Sequence, residues 1–155
     1  MHSSTFTLVS ADGLALFVYR WLPEATPKAV VQIAHGLVEH AGRYARLAEA
    51  LTRAGYVVYA GDHRGHGRTA PAPEDLGFFA ERDGWRKCVD DLWRLNQRIA
   101  TDHPGLPTPL TESVRSRRRI RGHHRKLSVG RLFLCHRSRA PMGAMPSEQK
   151  LSAFQ

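Results

Sequence analysis

Two stretches of sequence, each directly after a short apolar run, decide the fold. The first is His35-Gly36-Leu37-Val38-Glu39-His40-Ala41-Gly42-Arg43-Tyr44, which follows the apolar run Ala29–Ala34. The second is Gly61-Asp62-His63-Arg64-Gly65-His66-Gly67-Arg68-Thr69, which follows the apolar residues 56–60. Continuous apolar runs of this length are typical of strands buried on both faces of a parallel sheet. We therefore predict two parallel strands, each ending in a polar loop.

The neighbouring segments extend this pattern into an alternating α/β order. Residues 5–10 and 14–22 flank Asp12-Gly13, a dipeptide that readily adopts the tight turn of a β-hairpin. A first helix is predicted to end at Gly55, and a second to run from about residue 84 to 99 with Asp83 as its cap. The apolar faces predicted for the two helices are Tyr44, Leu47, Ala48, Leu51 and Ala54, and then Trp85, Val89, Leu92 and Leu95. Hairpin, strand, helix, strand, loop and helix is the order of an α/β sheet with parallel crossovers.

Charge divides the chain into two parts. The 155 residues suffice for one domain, and 42% hydrophobic with 24% charged residues excludes a wholly disordered chain. Residues 1–107 hold 12 Lys/Arg and 12 Asp/Glu, whereas residues 108–155 hold 11 Lys/Arg and 2 Asp/Glu, so the net charge of +9 belongs to the second part. We predict an α/β domain over 1–107 and a basic, largely disordered tail over 108–155.

The strand that should follow the second helix is predicted to be missing. Residues 115–126 read Arg-Ser-Arg-Arg-Arg-Ile-Arg-Gly-His-His-Arg-Lys, and each unpaired charge in a buried strand would cost several kcal/mol. The fold class is therefore a mostly parallel sheet with an N-terminal hairpin, truncated at this strand, which leaves an exposed edge on the strand Ala29–Ala34. The abrupt change after Pro107 suggests a shifted reading frame. Translating the coding nucleotides in the other two frames tests that hypothesis.

Cysteine content and hydropathy favour a cytoplasmic setting. Cys88 and Cys135 form neither a disulfide framework nor a CxxC pair. No secretory signal is recognisable, and no stretch approaches the ~20 apolar residues that a membrane-spanning helix needs.

The two opening motifs together resemble the α/β-hydrolases of the monoacylglycerol lipase and lysophospholipase type, the serine-aminopeptidase-like hydrolases. The resemblance covers roughly residues 5–107, the N-terminal portion of that catalytic domain. In two departures, Val38 stands where the family commonly has Gly and Thr69 where Ser is usual. The resemblance implies ester hydrolysis through an acyl-enzyme, no cofactor, and an acyl ester or lysophospholipid as substrate.

The resemblance also implies roles for the first motif. The Leu37 N–H is implied as half of an oxyanion hole, supported by His35 and Gly36. Glycine suits such a site because the backbone can approach a ligand without a Cβ in the way. Taken without the resemblance, His35 and Gly36 simply shape a turn.

The second motif is predicted to be a tight loop at the sheet edge. Gly65 and Gly67 permit the geometry, and Asp62, Arg64 and His66 tie the loop together by hydrogen bonds, together with His63. A metal site is the alternative, because His35, His40, His63 and His66 lie on successive loops. Their spacing fits no zinc pattern, so we predict no metal.

The nucleophile of a serine hydrolase is missing from the sequence. It requires a strained elbow, Gly-x-Ser-x-Gly, and the 155 residues contain no such pentapeptide. Ser113 and Ser116 lie where the elbow is due but lack both glycines, and Ser128 has one of two. His136 precedes Glu148, against the family's order of acid and histidine. We therefore predict a chain without a catalytic triad.

An alternative function is binding by the basic tail. Its cations would bind nucleic acid or an anionic membrane with strong salt dependence. No aromatic residues interleave the arginine run within residues 115–126, which disfavours nucleic acid. Retention on heparin, compared before and after deletion of residues 108–155, separates the two functions.

Overall fold

A computed structural model of the protein describes residues 1–112. The strands are β1 (His2–Val9), β2 (Ala15–Leu22), β3 (Ala29–Ala34), β4 (Tyr56–Gly61) and β5 (Leu110–Glu112). The helices are α1 (Ala45–Arg53) and α2 (Gly84–Asp102), with single 3-10 turns at Ala41–Tyr44, Gly67–Thr69 and Pro73–Asp75. The predicted basic tail lies outside the described residues, apart from its first five.

The five strands form one mixed sheet in the order β1-β2-β4-β3-β5. β1, β2 and β4 pair antiparallel, whereas β4, β3 and β5 pair parallel. This arrangement confirms the predicted α/β fold with an N-terminal hairpin. The hairpin turn has Gly13 at a φ of +85°, a conformation that glycine adopts without steric cost.

The two helices cover opposite faces of the sheet. Alternating strand residues divide the core, so that Val31 and Val58 pack on the face of α1 while Val30 and Val57 pack on the face of α2. Because both faces are covered, β3 and β4 can be apolar along their whole length. The one polar residue of β3, the fully buried Gln32, donates from Nε2 to the Leu92 carbonyl oxygen at 2.9 Å and so fastens α2 to the sheet.

Four details of the helix predictions are wrong, and one of them is Ala54, which is exposed although it was predicted on the apolar face of the first helix. Asp83 precedes α2 in the left-handed region, at a φ of +54°, and its side chain makes no cap hydrogen bond. Trp85 is 55% exposed and Leu47 is 45% exposed, although both fall at positions of the predicted apolar faces. Both side chains lie at the margin of the apolar stripe of their helix. Sequence periodicity does not show whether the sheet extends far enough to cover that margin.

The prediction that no strand follows α2 is also corrected. β5 pairs parallel with β3, in the register Gln32↔Leu110, Ile33↔Thr111 and Ala34↔Glu112. The segment that leads into β5 is also hydrogen-bonded to β3. The Val30 N–H donates to the Pro107 carbonyl oxygen at 2.9 Å, and the Gln32 N–H donates to the Pro109 carbonyl oxygen at 3.0 Å. The second edge of β3 is therefore covered, because backbone hydrogen bonds need no apolar side chains. In the part of the chain that the structure describes, no helix is long and apolar enough to cross a bilayer.

Candidate active site

Two loops meet at one edge of the sheet, where the parallel strands β3 and β4 end. The first loop runs from His35 to His40, and the second from Asp62 to His66. Ligands of open α/β sheets bind at the carboxyl ends of the strands, so these loops are in the place expected of a site.

His35 and His63 fasten the two loops to each other. The His63 backbone N–H donates to His35 Nε2 at 2.9 Å, and His63 Nε2 lies 3.1 Å from the His35 carbonyl oxygen. Since a backbone N–H only donates, His35 Nε2 must be the bare nitrogen of its ring. The rings are 4.0 Å apart between centroids, and His35 is buried. Burial lowers the pKa of both rings, that of His63 to about 3.

The carbonyl groups of the first loop are held by two imidazoles. His35 Nδ1 lies 2.9 Å from the Gly36 oxygen, and His66 Nε2 lies 2.6 Å from the Leu37 oxygen. The side chains of Leu37 and Val38 are 76% and 86% exposed, so the loop is open to solvent. Among residues 1–112, no hydrogen-bond acceptor contacts the Leu37 N–H.

A buried carboxylate stabilises the second loop and the end of the first. Asp62 Oδ1 accepts from the Ala41 N–H at 2.6 Å, and Oδ2 accepts from the Arg68 N–H at 2.8 Å. The Thr69 hydroxyl donates to the Asp62 carbonyl oxygen at 2.9 Å and accepts from the Phe17 N–H at 2.8 Å. The Thr69 hydroxyl therefore makes the same two hydrogen bonds that a serine hydroxyl would make at this position.

Arg64 joins the second loop to the hairpin turn and to α2. Its guanidinium is 3% exposed, forms two hydrogen bonds of 3.1 Å to Asp12, and donates from Nε to Asp91 at 2.8 Å. Hydrogen bonding to Arg64 holds the pKa of Asp12 far below its usual range, whereas burial raises that of Asp91. Sequence reasoning predicted a tied loop at Arg64 but missed both carboxylates, since they lie 52 and 27 residues away and have no local signal.

The remaining candidate residues do not join this cluster. His40 is exposed, and the described residues contain no group of three or more His, Cys, Asp or Glu side chains arranged to hold a metal ion. The buried thiol of Cys88 is not an activated nucleophile, because burial raises its pKa to about 12. Ser113, Ser116, Ser128, His136 and Glu148 lie outside the described residues.

Acidification is expected to destabilise the protein through the partly buried His63. Its folded pKa of about 3 lies below the ordinary 6.5, so the unfolded state binds protons more readily and stability is lost as the pH falls below about 6.5. For this group alone the loss at pH 5 is about 2 kcal/mol. Urea unfolding at about pH 7 and pH 5 measures it.

The matched variants for this prediction are His63→Gln, which keeps an amide donor but does not titrate, and the exposed His40→Gln. We expect H63Q to lose most of that pH dependence and H40Q to retain it. An equal change in the free energy of unfolding between pH 7 and pH 5 in the wild-type protein and in H63Q would show that His63 is not the titrating group.

Comparisons with known proteins agree with this geometry. A family model described as serine aminopeptidase, S33, matches residues 25–111. The monoacylglycerol lipase of Mycolicibacterium smegmatis is 38% identical over 104 residues, which are 67% of this chain and 35% of that protein. The monoglyceride lipase of Rattus norvegicus is 50% identical over 100 residues, which are 64% of this chain and 31% of that protein.

Solved structures show the same fold. A thermostable carboxyl esterase from Bacillus coagulans superposes with a TM-score of 0.64 at 28% identity, covering 71% of this chain and 36% of the esterase. A lipase in an open form superposes with a TM-score of 0.63 at 35% identity, covering 72% of this chain and 36% of the lipase.

The sheet, its helices and the two edge loops define an α/β-hydrolase fold. Within that class, the chain belongs to the serine aminopeptidase (S33) family of hydrolases, which also confirms the resemblance of its motifs. It spans about a third of the length of the curated relatives it matches.

Proposed function

We propose that this chain carries the first half of an ester-hydrolase site of the monoacylglycerol lipase type, in which the Leu37 N–H donates to an oxyanion. The observation that supports the proposal is the position of Leu37. It lies in the loop directly after β3, is 76% exposed, and has no acceptor for its N–H among residues 1–112. In this fold one oxyanion donor comes from the loop after such a strand.

The chemistry that this N–H serves is acyl transfer. When a nucleophile attacks an ester carbonyl carbon, the new C–O bond forms as the carbonyl π electrons move onto oxygen, which becomes negative. A donor already aimed at that oxygen stabilises the transition state, and one such donor is worth about 100- to 1000-fold in rate. Collapse of the intermediate then expels the alcohol and leaves an acyl-enzyme.

We further propose that this chain does not supply the attacking hydroxyl. β5 lies beside β3, where the resemblance expects the strand that leads into the elbow, and Ser113 is the next residue after β5. Thr111 and Arg115 stand where the elbow needs glycine on either side of that serine. Side chains at these positions hinder the close strand-to-helix approach.

The substrate class and setting follow from the relatives. Two of them are named for monoacylglycerol or monoglyceride, so we propose a small acyl ester or a lysophospholipid as the ligand of the completed site, with no cofactor. We keep the cytoplasmic setting as part of the proposal, since two cysteines with neither a disulfide framework nor a CxxC pair favour a reducing compartment.

Covalent labelling tests whether the chain holds a nucleophile. We expect the full-length protein, treated with a fluorophosphonate serine-hydrolase probe, to label no more than its Ser113→Ala variant or a heat-denatured sample. Rat monoglyceride lipase is the positive control for the probe. Stoichiometric labelling that disappears in S113A would identify Ser113 as a working nucleophile and overturn this part of the proposal.

A further inference from the structure

Two consecutive peptide groups of the first loop are each held by a different histidine. His35 Nδ1 contacts the Gly36 carbonyl oxygen at 2.9 Å, and His66 Nε2 contacts the Leu37 carbonyl oxygen at 2.6 Å. Both rings are buried, at 4% and 6% exposure, and their centroids are 5.2 Å apart. The backbone on either side of Leu37 is therefore attached to two buried side chains.

Holding a carbonyl also orients the amide of the same peptide group. The described residues contain no cis peptide bond, and in a trans peptide the C=O and N–H point in opposite directions. The Gly36 C=O and the Leu37 N–H belong to one planar group, so the contact with His35 turns the Leu37 N–H away from that ring. The contact with His66 does the same for the Val38 N–H.

We infer that His66 is a positioning residue for the oxyanion donor, acting together with His35. By holding the Leu37 carbonyl, His66 fixes the peptide plane that follows Leu37, while His35 fixes the plane that precedes it. This role rests on the proposed function of Leu37 but assigns a task to His66 that the motif alone does not give.

The alternative that His66 prevents is a flipped peptide group. If the plane between Leu37 and Val38 rotated by half a turn, the Leu37 carbonyl oxygen would replace the Val38 N–H on the side that faces away from His66. A carbonyl dipole there would repel the negative oxygen that the Leu37 N–H is proposed to stabilise. Nothing in the exposed side chains of Leu37 and Val38 opposes that rotation, whereas a buried imidazole does.

The chemistry of the two rings makes the inference specific. A carbonyl oxygen only accepts, so His66 must carry a proton on Nε2 to bond Leu37. Its Nδ1 lies 3.0 Å from the Arg64 carbonyl oxygen, which also only accepts, so a ring with one proton bonds one carbonyl or the other, and the inference places that proton on Nε2. His35 must carry its proton on Nδ1, since its Nε2 accepts from the His63 N–H.

Ring protonation in the wild-type protein tests the inference without any variant. A long-range ¹H–¹⁵N spectrum of the uniformly labelled full-length chain at neutral pH reports which ring nitrogens carry protons. We expect a protonated Nε2 on His66 and a protonated Nδ1 with a bare Nε2 on His35. A bare Nε2 on His66 would overturn the inference.

Two isosteric variants give a second reading. His66→Gln keeps a donor near the position of Nε2, and His66→Asn keeps one only near Nδ1. We expect the ¹³C resonance of the Leu37 carbonyl to stay in place in H66Q and to move upfield in H66N, as for a lost hydrogen bond, with the exposed His40→Asn as the unchanged control. Equal shifts in H66Q and H66N contradict a positioning role. Because both readings concern loop geometry, failure of the proposed ester hydrolysis would leave them unchanged.

Discussion

Replacing Arg64 with methionine is expected to lower the free energy of unfolding by about 3–5 kcal/mol, a large part of the stability of a small domain. The substitution leaves Asp91, 6% exposed, without its guanidinium partner at 2.8 Å. It also removes both hydrogen bonds from the guanidinium to Asp12, which keeps the Ser10 hydroxyl and Lys87 as partners. Removing one partner of a buried pair is costly because the other charge stays out of water.

Two comparisons show whether the loss comes from buried charge. Arg53→Met removes an exposed pair, Arg53 with Glu49 at 4.0 Å, and should cost no more than about 0.5 kcal/mol. Adding Asp91→Leu to R64M should recover part of the stability, since it removes the stranded carboxylate. Urea unfolding monitored by tryptophan fluorescence measures all three. An R64M loss no larger than that of R53M would contradict the account of this network.

Gly65→Ala is expected to be nearly as damaging, at about 2–5 kcal/mol. A Cβ on Gly65 would lie 2.3 Å from the Phe78 carbonyl oxygen, and the residue has a φ of +69°. The contact is with backbone, and the Gly65 carbonyl oxygen already accepts from the Gly77 N–H at 2.7 Å, so the chain cannot move aside cheaply.

Gly13→Ala is the matched control for this steric clash. Gly13 has a similar φ of +85° but no atom within 4 Å of its Cβ position, so only the conformational cost of about 1–2 kcal/mol remains. Thermal unfolding followed by circular dichroism should rank wild type above G13A and G13A above G65A. Equal transition temperatures for the two variants would mean that the contact with Phe78 is relieved.

The core strands and the edge loops were predictable because their signals are local. β3 and β4 are continuous apolar runs, and each ends in a motif whose residue types point to a site. The strand β5 was missed because Thr111 and Glu112 carry no apolar pattern, yet the open backbone of β3 pairs with them. This pairing depends on the unpaired backbone edge of the neighbouring strand β3. The residues of β5 themselves carry no signal for it.

The contacts that define the site geometry were not predictable for a related reason. His66 lies 29 residues from the Leu37 carbonyl it holds, and Asp62 lies 21 residues from Ala41. Only the parallel pairing of β3 with β4 brings the two loops together. The sequence predicted that Asp62, Arg64 and His66 make hydrogen bonds within their own loop. In the structure, most of the hydrogen bonds of these side chains connect that loop to other elements.

A hybrid enzyme tests the role of the Leu37 amide most directly. Residues 1–112 would be joined to the part of rat monoglyceride lipase that follows its matched segment, with monoacylglycerol as substrate. In that hybrid, Leu37→Pro, which has no N–H, should lower kcat about 100- to 1000-fold with little change in KM, whereas Leu37→Ala stays close to the parent. A Leu37→Pro hybrid that is folded and retains the parental kcat would contradict the assignment of this backbone amide to the oxyanion.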